Sequence, residues 1–200
     1  MNKNLLDIRN FRKNLWSIVV IFVVGFSVGA FYISHHKNAG IDWHIIGKTT
    51  ESGTIKIDTC FSPGGNCADL ICRHLDAAKE EILVQAYSFT SKKIAESLLK
   101  AKARGVDVSV MADRSAVKTK GSMLGLLMQN QIKISYDKVS GLAHNKTIII
   151  DKARVITGSY NFTSAADNRN SENLLIIYNK ALTKKYLDNW DVRKKNAMRF

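Results

Sequence analysis

From Thr54 onward, short runs rich in β-branched side chains alternate with segments whose apolar residues are spaced for one helical face. That alternation constrains the fold most strongly, because strands regularly joined by helices imply a sheet covered on both faces. Strands are expected at Thr54–Phe61, Ile82–Tyr87, Val106–Ala112, Ile132–Tyr136, Thr147–Ile150, Arg154–Thr157 and Asn173–Tyr178. Helices are expected at Cys67–Lys79, with Leu70, Ile71, Leu75 and Ala78 on one face, at Ser122–Asn130 and at Leu182–Met198. Another should run from a Ser91 cap through Arg104, with Gly105 as its stop. Asp151-Lys152 reads as a tight turn between two β-branched strands. The predicted class is α/β: a mixed β-sheet flanked by helices on both faces and preceded by one N-terminal hydrophobic helix. No internal repeat is visible.

That leading helix is Leu15–Ile33, a run without a charged residue. It is long enough to cross a bilayer core. Lys3, Arg9, Arg12 and Lys13 precede it, so the positive-inside rule sends the rest of the chain out of the cytoplasm, into the periplasm of a bacterium. The run reads as an uncleaved membrane anchor or as a cleaved signal peptide. The predicted organisation is a signal or anchor at 1–33, a linker at 34–53 and a folded domain at 54–200. Cys60 and Cys67 bracket the turn-rich segment Phe61–Asn66, which can bring them together as a disulfide; three buried free thiols, with Cys72, is the alternative.

The chemistry concentrates in one stretch. His144, Lys146 and Asp151 stand in the order His-x-Lys-x4-Asp, followed by Gly158-Ser159-Tyr160-Asn161. In an extended segment His144 and Lys146 project to the same face, so an imidazole and a cation can reach one phosphate. A phosphodiester anion repels nucleophiles, and its attack requires fixed positive charge and in-line placement. Neutral imidazole is a good nucleophile near pH 7. Ser159 and Asn161 are candidate donors to phosphate oxygens, and Gly158 permits close backbone approach. Asp151 reads as a structural acceptor rather than a proton carrier. No Cys-x2-Cys pair or matching His pair suggests a zinc site, and neither a metal nor a cofactor is expected.

These residues resemble the HKD signature of the phospholipase D superfamily. Gln85–Thr90, Ala103–Val108 and Asn170–Asn173 are also similar to segments of its small bacterial endonucleases, so the likeness spans about residues 54 to 195. The resemblance implies a sheet sandwiched by helices, a phosphohistidine intermediate and no metal requirement. It also implies that a chain with one motif works as a homodimer with a shared site. His36, His44 and His74 lack the downstream lysine and aspartate, and His35, which Lys37 and Asp42 follow at the same spacing, lacks the Gly-Ser-x-Asn continuation. One His144 would then attack phosphorus while the other protonates the leaving oxygen and later activates water. Glu172, in the family-like Asn-Ser-Glu-Asn segment, is expected to accept a hydrogen bond from the other ring nitrogen of His144.

The formal net charge is +13, from 30 lysines and arginines against 17 aspartates and glutamates, which favours an anionic partner. Lys92-Lys93, Lys100-Lys102-Arg104, Lys118-Lys120 and Lys184-Lys185 are candidates to line a groove that tracks a nucleic-acid backbone. The sequence therefore reads as a nonspecific endonuclease cleaving DNA, with RNA as a second candidate substrate. A hydrolase of an anionic lipid headgroup, held at the membrane by residues 15–33, is the second reading. A noncatalytic polyanion-binding protein is the third, and the intact motif disfavours it.

Overall fold

The computed structural model describes residues 55–199. The apolar run at 15–33 and the linker at 34–53 lie outside them. In chain order the elements are β1 (Lys56–Ser62), α1 (Cys67–Asp76), β2 (Glu81–Ala86), α2 (Lys92–Ala103), β3 (Asp107–Ala112), α3 (Leu124–Gln129) and β4 (Lys133–Tyr136). They continue with β5 (Lys146–Ile150), β6 (Arg154–Gly158), α4 (Ser164–Asn168), β7 (Glu172–Tyr178), α5 (Lys180–Asn196) and β8 (Met198–Arg199).

All eight strands form one sheet, in the order β1-β7-β6-β5-β2-β3-β4-β8. β2, β3 and β4 run parallel, joined by α2 and α3, and every other pairing is antiparallel. The sheet is therefore mixed, as expected. Its faces separate by strand parity. Ile82, Val84, Val108, Val110, Ile148, Ile150, Leu174 and Ile176 pack in one core with Ile71 and Leu75 of α1, Ile94 and Leu98 of α2, and Leu124 and Leu127 of α3. The opposite parity, with Leu83, Met111, Ile149 and Val155, meets Trp190 of α5 in a smaller core. Central strands buried on both faces explain why β2 and β5 read as nearly unbroken apolar runs.

Local signals hold where expected. The Ser91 side chain accepts from Ile94 N at 3.3 Å, and Gly105 has φ 93° just past α2. Asp151 and Lys152 both have φ 52°, and Ala153 N–H donates to the Ile150 carbonyl at 3.0 Å, closing the β5–β6 turn. Cys60 and Cys67 form a disulfide, with Cα atoms 5.7 Å apart, and Cys72 is free and buried.

Two expectations change for a tertiary reason. The helix expected to reach Lys79 stops at Asp76, because the N–H groups of Lys79, Glu80 and Glu81 are captured by Asp151 at 2.8–3.2 Å. The final helix ends at Asn196, which frees Met198 and Arg199 to pair with β4 at the sheet edge. The short α4, capped by Thr163, was not foreseen.

Asp151 thus clamps the β5–β6 turn to the start of β2. Burial opposes its ionisation, but the N–H groups of Glu80, Glu81 and Lys79 outweigh it, with Arg154 assisting, and hold the carboxyl below its ordinary range. Asp151→Asn is expected to cost about 1–3 kcal/mol of stability at neutral pH. A depressed carboxylate stabilises fully above its unfolded pKa of about 3.9 and loses that effect as pH falls toward the folded value. Urea melts of parent and variant should therefore differ at pH 7 and converge in acid. A constant difference across that range would contradict the assignment.

Candidate active site

The carboxyl ends of β2 and β3 lie at the same end of the sheet as the starts of β5 and β7 and the end of β6. His144 lies two residues before Lys146, which opens β5; Tyr87 follows β2, Ser159 follows β6 and Glu172 opens β7. Crossing strands at one sheet end is what collects residues far apart in sequence.

His144 is exposed, whereas Lys146 is only 8% exposed. Lys146 Nζ lies 2.9 Å from His144 Nδ1 and 3.1 Å from Nε2. One nitrogen nearly equidistant from both cannot align with either in-plane lone pair, so the ammonium stands over the ring. It donates instead to the His144 carbonyl at 2.8 Å. The Tyr87 ring packs against both, tilted 54° to the imidazole, its centroid 4.3 Å from that of His144 and 5.1 Å from Lys146 Nζ. Tyr87 N–H also donates to the Asn145 carbonyl at 3.0 Å, which extends the β2–β5 ladder to the edge of the site. Burial lowers the Lys146 pKa, opposed by the charge of Glu172. A desolvated cation of this kind is relieved by an incoming anion.

Glu172 is fixed on the β7 side. Ser159 Oγ donates to its Oε2 at 2.6 Å and Asn170 Nδ2 donates to Oε1 at 3.0 Å. Ser159 Oγ in turn accepts from Asn173 N at 3.0 Å. Within the chain, then, Lys146 lies against the His144 ring, and the Glu172 hydrogen bonds run to Ser159 and Asn170. The expected Glu172–His144 hydrogen bond is not among them. Ser159 consequently serves Glu172 rather than standing free as a donor. Gly158, at φ 152°, lies so close to β7 that a Cβ would run into the Asn173 carbonyl. Asn161 is half-buried, with its Oδ1 lacking a protein partner, an atom suited to a donor from solvent or ligand. Asp151 lies at the opposite end of β5 from His144 and takes no part in this group.

The loop between β4 and β5, which carries His144, is pinned by two buried carboxylates that the sequence reading did not single out. Asp113 Oδ2 accepts from Ala143 N, the residue before His144, at 2.8 Å, and Asp113 Oδ1 accepts from Ser115 N at 2.8 Å. Burial works against that carboxylate, yet the Ser115 hydroxyl, the Ser115 and Ala143 N–H groups and Arg114 hold its pKa below the ordinary range. Asp137 accepts from Arg193 Nε at 2.9 and 3.0 Å and from Nη2 at 2.5 Å, a bidentate pair. The Asp-x-Ser spacing at 113–115 was the available signal for an Asx turn. Tyr87 had one too, ending a predicted strand inside a family-like segment. Asp137 and Arg193 had none, being 56 residues apart.

His144 opens onto a cavity of about 400 Å³ also lined by Asn145, Asn189, Arg193 and Leu142. Among the described residues no group of three or more His, Cys, Asp or Glu side chains is placed to hold a metal ion. An exposed imidazole, a buried cation and a fixed carboxylate beside an open cleft can bind and attack a phosphate ester.

Comparison with known proteins agrees with that chemistry. Residues 71–192 match the family model described as the cardiolipin synthase, PLD-like domain. A phospholipase D from Rickettsia bellii is 40% identical over 195 residues, covering 91% of this chain and 96% of that protein. The chain belongs to the phospholipase D superfamily and is a hydrolase of phosphodiester bonds. Among solved structures it is similar to a phospholipase D family member, Nuc from Salmonella typhimurium, with 33% identity and a TM-score of 0.69 over 74% of this chain and 99% of that one. The human mitochondrial cardiolipin hydrolase is 32% identical over 133 residues, 66% of this chain and 53% of that protein.

Proposed function

We propose that the chain is a metal-independent, nonspecific endonuclease that cleaves DNA, and RNA also, through a phosphohistidine on His144. The observation that carries this reading is the exposed His144 imidazole in contact with both the Tyr87 ring and the buried ammonium of Lys146 at an open cleft. In the first step a ring nitrogen of His144 bonds to phosphorus, the P–O bond to the leaving group breaks, and the departing oxygen takes a proton. In the second, water attacks phosphorus, loses its proton to the group that served as acid, and releases His144. Lys146 and Asn161 bind the phosphoryl oxygens, and the Ser159–Glu172 pair balances the charge at the site.

The acid must be a second imidazole. The other described histidine, His74, packs on Tyr178, at the far end of β7 from Glu172. A homodimer that supplies two copies of His144 to one site satisfies this requirement. In that assembly the Glu172 carboxylate, which keeps acceptor sites beside its Ser159 and Asn170 contacts, accepts from the partner's imidazole. Residues 15–33 hold the enzyme outside the cytoplasm in this reading, as an anchor or as a signal removed on export.

A lipid substrate is the second reading, favoured by the phospholipase D name of a relative matched over nearly its full length. The purified chain is expected to nick and degrade plasmid DNA in excess EDTA and to leave phospholipid vesicles intact. Intact plasmid beside hydrolysed lipid would reverse the order of the two readings, and abolition of cleavage by EDTA would end the metal-independent mechanism.

A further inference from the structure

Two cavities meet at the loop that carries His144. The one beside His144 shares Asp137, Val139 and Leu142 with a second of about 630 Å³, which extends past Arg114, Lys118 and Lys138. We propose that this second cavity is a subsite for a nucleotide flanking the scissile bond. Its phosphate lies on Arg114, Lys118 and Lys138, and its sugar or base rests on Val117, Val139 and Leu142. The proposal rests on the nucleic-acid reading of the His144 site and assigns that substrate a second point of attachment.

Charge is the first argument. Arg114, Lys118 and Lys138 come from three separate places, after β3, at a 3-10 turn and after β4, yet line one cavity. All three are exposed, and none takes part in the ion pairs found among the described residues. Several of the basic residues in the expected runs are engaged elsewhere: Lys92 pairs with Glu96, Lys93 with Asp69 and Lys184 with Asp188, while Arg104 donates to the Leu75 carbonyl. Of the basic runs expected to line a groove, Lys118 is the member found here. The two carboxylates in the cavity wall do not cancel this field, since Arg193 neutralises Asp137 and Asp113 is turned onto backbone and hydroxyl donors.

The apolar part of the wall is the second argument. Leu142 is 62% exposed and presents its side chain to the cavity. With the half-buried Val117 and Val139 it makes a small apolar shelf. A shelf of three aliphatic side chains beside cations matches a nucleotide, which has a flat apolar face and a phosphate. It is too short to receive acyl chains. The volume lies within the roughly 300–1,000 Å³ typical of small-ligand sites.

Rigidity is the third. The intervening loop is tied at one end by Asp137 to Arg193 and at the other by Asp113 to the Ala143 N–H. The wall between the two cavities is therefore preorganised, so a strand seated in the second cavity is held in register with His144.

The test combines Arg114→Ala, Lys118→Ala and Lys138→Ala in the full chain and compares two substrates. One is a short oligodeoxynucleotide; the other is bis(4-nitrophenyl) phosphate, a phosphodiester without flanking nucleotides. The oligonucleotide KM should rise about tenfold or more, and its dependence on log salt concentration should become shallower by roughly two to three ion equivalents. Hydrolysis of the small ester should stay within about twofold of the parent, since no contact in the His144 site has changed. A control with Lys79→Ala, Lys100→Ala and Lys152→Ala removes the same charge away from this cleft and should leave the oligonucleotide KM near that of the parent. Unchanged kinetics in the cleft variant, an equal loss on both substrates, or an equal effect in the control would each overturn the subsite. A parent that cleaves the small ester or phospholipid vesicles but no oligonucleotide would overturn the nucleic-acid reading itself, and this is seen before any substitution is made.

Discussion

His144→Ala is expected to lower phosphodiester cleavage by at least roughly 10³-fold, because the proposed mechanism draws both the nucleophile and the acid from this position. The side chain is exposed and anchors no core contact, so the thermal midpoint and the affinity for DNA should stay close to those of the parent. Mixing gives a sharper result. If subunits exchange freely and each shared site needs two intact copies, an equal mixture of parent and variant retains about a quarter of the parent activity at the same total concentration, rather than about a half. A half-active mixture would assign each site to one chain. An active His144→Ala protein would remove the imidazole from the mechanism altogether.

Lys146→Met is expected to reduce kcat/KM by about 10²–10³-fold, the usual consequence of deleting one fixed donor to a phosphoryl oxygen. Inorganic phosphate should also lose potency as an inhibitor, since the ammonium no longer meets the bound anion. The ammonium is buried and already desolvated, so folding should improve slightly or stay level when a similarly shaped apolar side chain replaces it. Activity and stability would then move in opposite directions. Lys146→Arg should not rescue, because a planar guanidinium does not fit a site that is 8% exposed and closed by the rings of His144 and Tyr87. Parallel losses of stability and activity in Lys146→Met would mark the lysine as a packing residue.

Much of the fold is legible from short-range signals. The Ser91 cap, the Gly105 stop and the Asp151-Lys152 turn each depend on a few neighbouring residues, and each is found where the sequence places it. The same holds for the His144–Lys146 pairing, since an extended backbone puts residues two apart on one face. Boundaries were less legible where a distant group intervened. The helix expected to reach Lys79 stops short because Asp151, about 70 residues on, offers a carboxylate to the N–H groups of Lys79, Glu80 and Glu81. The site shows the same division. Ser159 and Glu172 were both visible as candidates, but their direct bond follows from the β6–β7 register, which sets Gly158 opposite Leu174.

The sequence by itself determined an α/β chain, the signature of a phosphodiesterase and the side-by-side placement of its imidazole and ammonium, because periodicity, capping and strand parity act over a few residues. Only the tertiary structure decided that Tyr87 packs against His144, that Asp113 and Asp137 hold the loop, and that Arg114, Lys118 and Lys138 share one cavity. Those contacts depend on which strands become neighbours and in what register. Closing such long loops is repaid by burial of the whole sheet, not by any signal in the residues that finally meet.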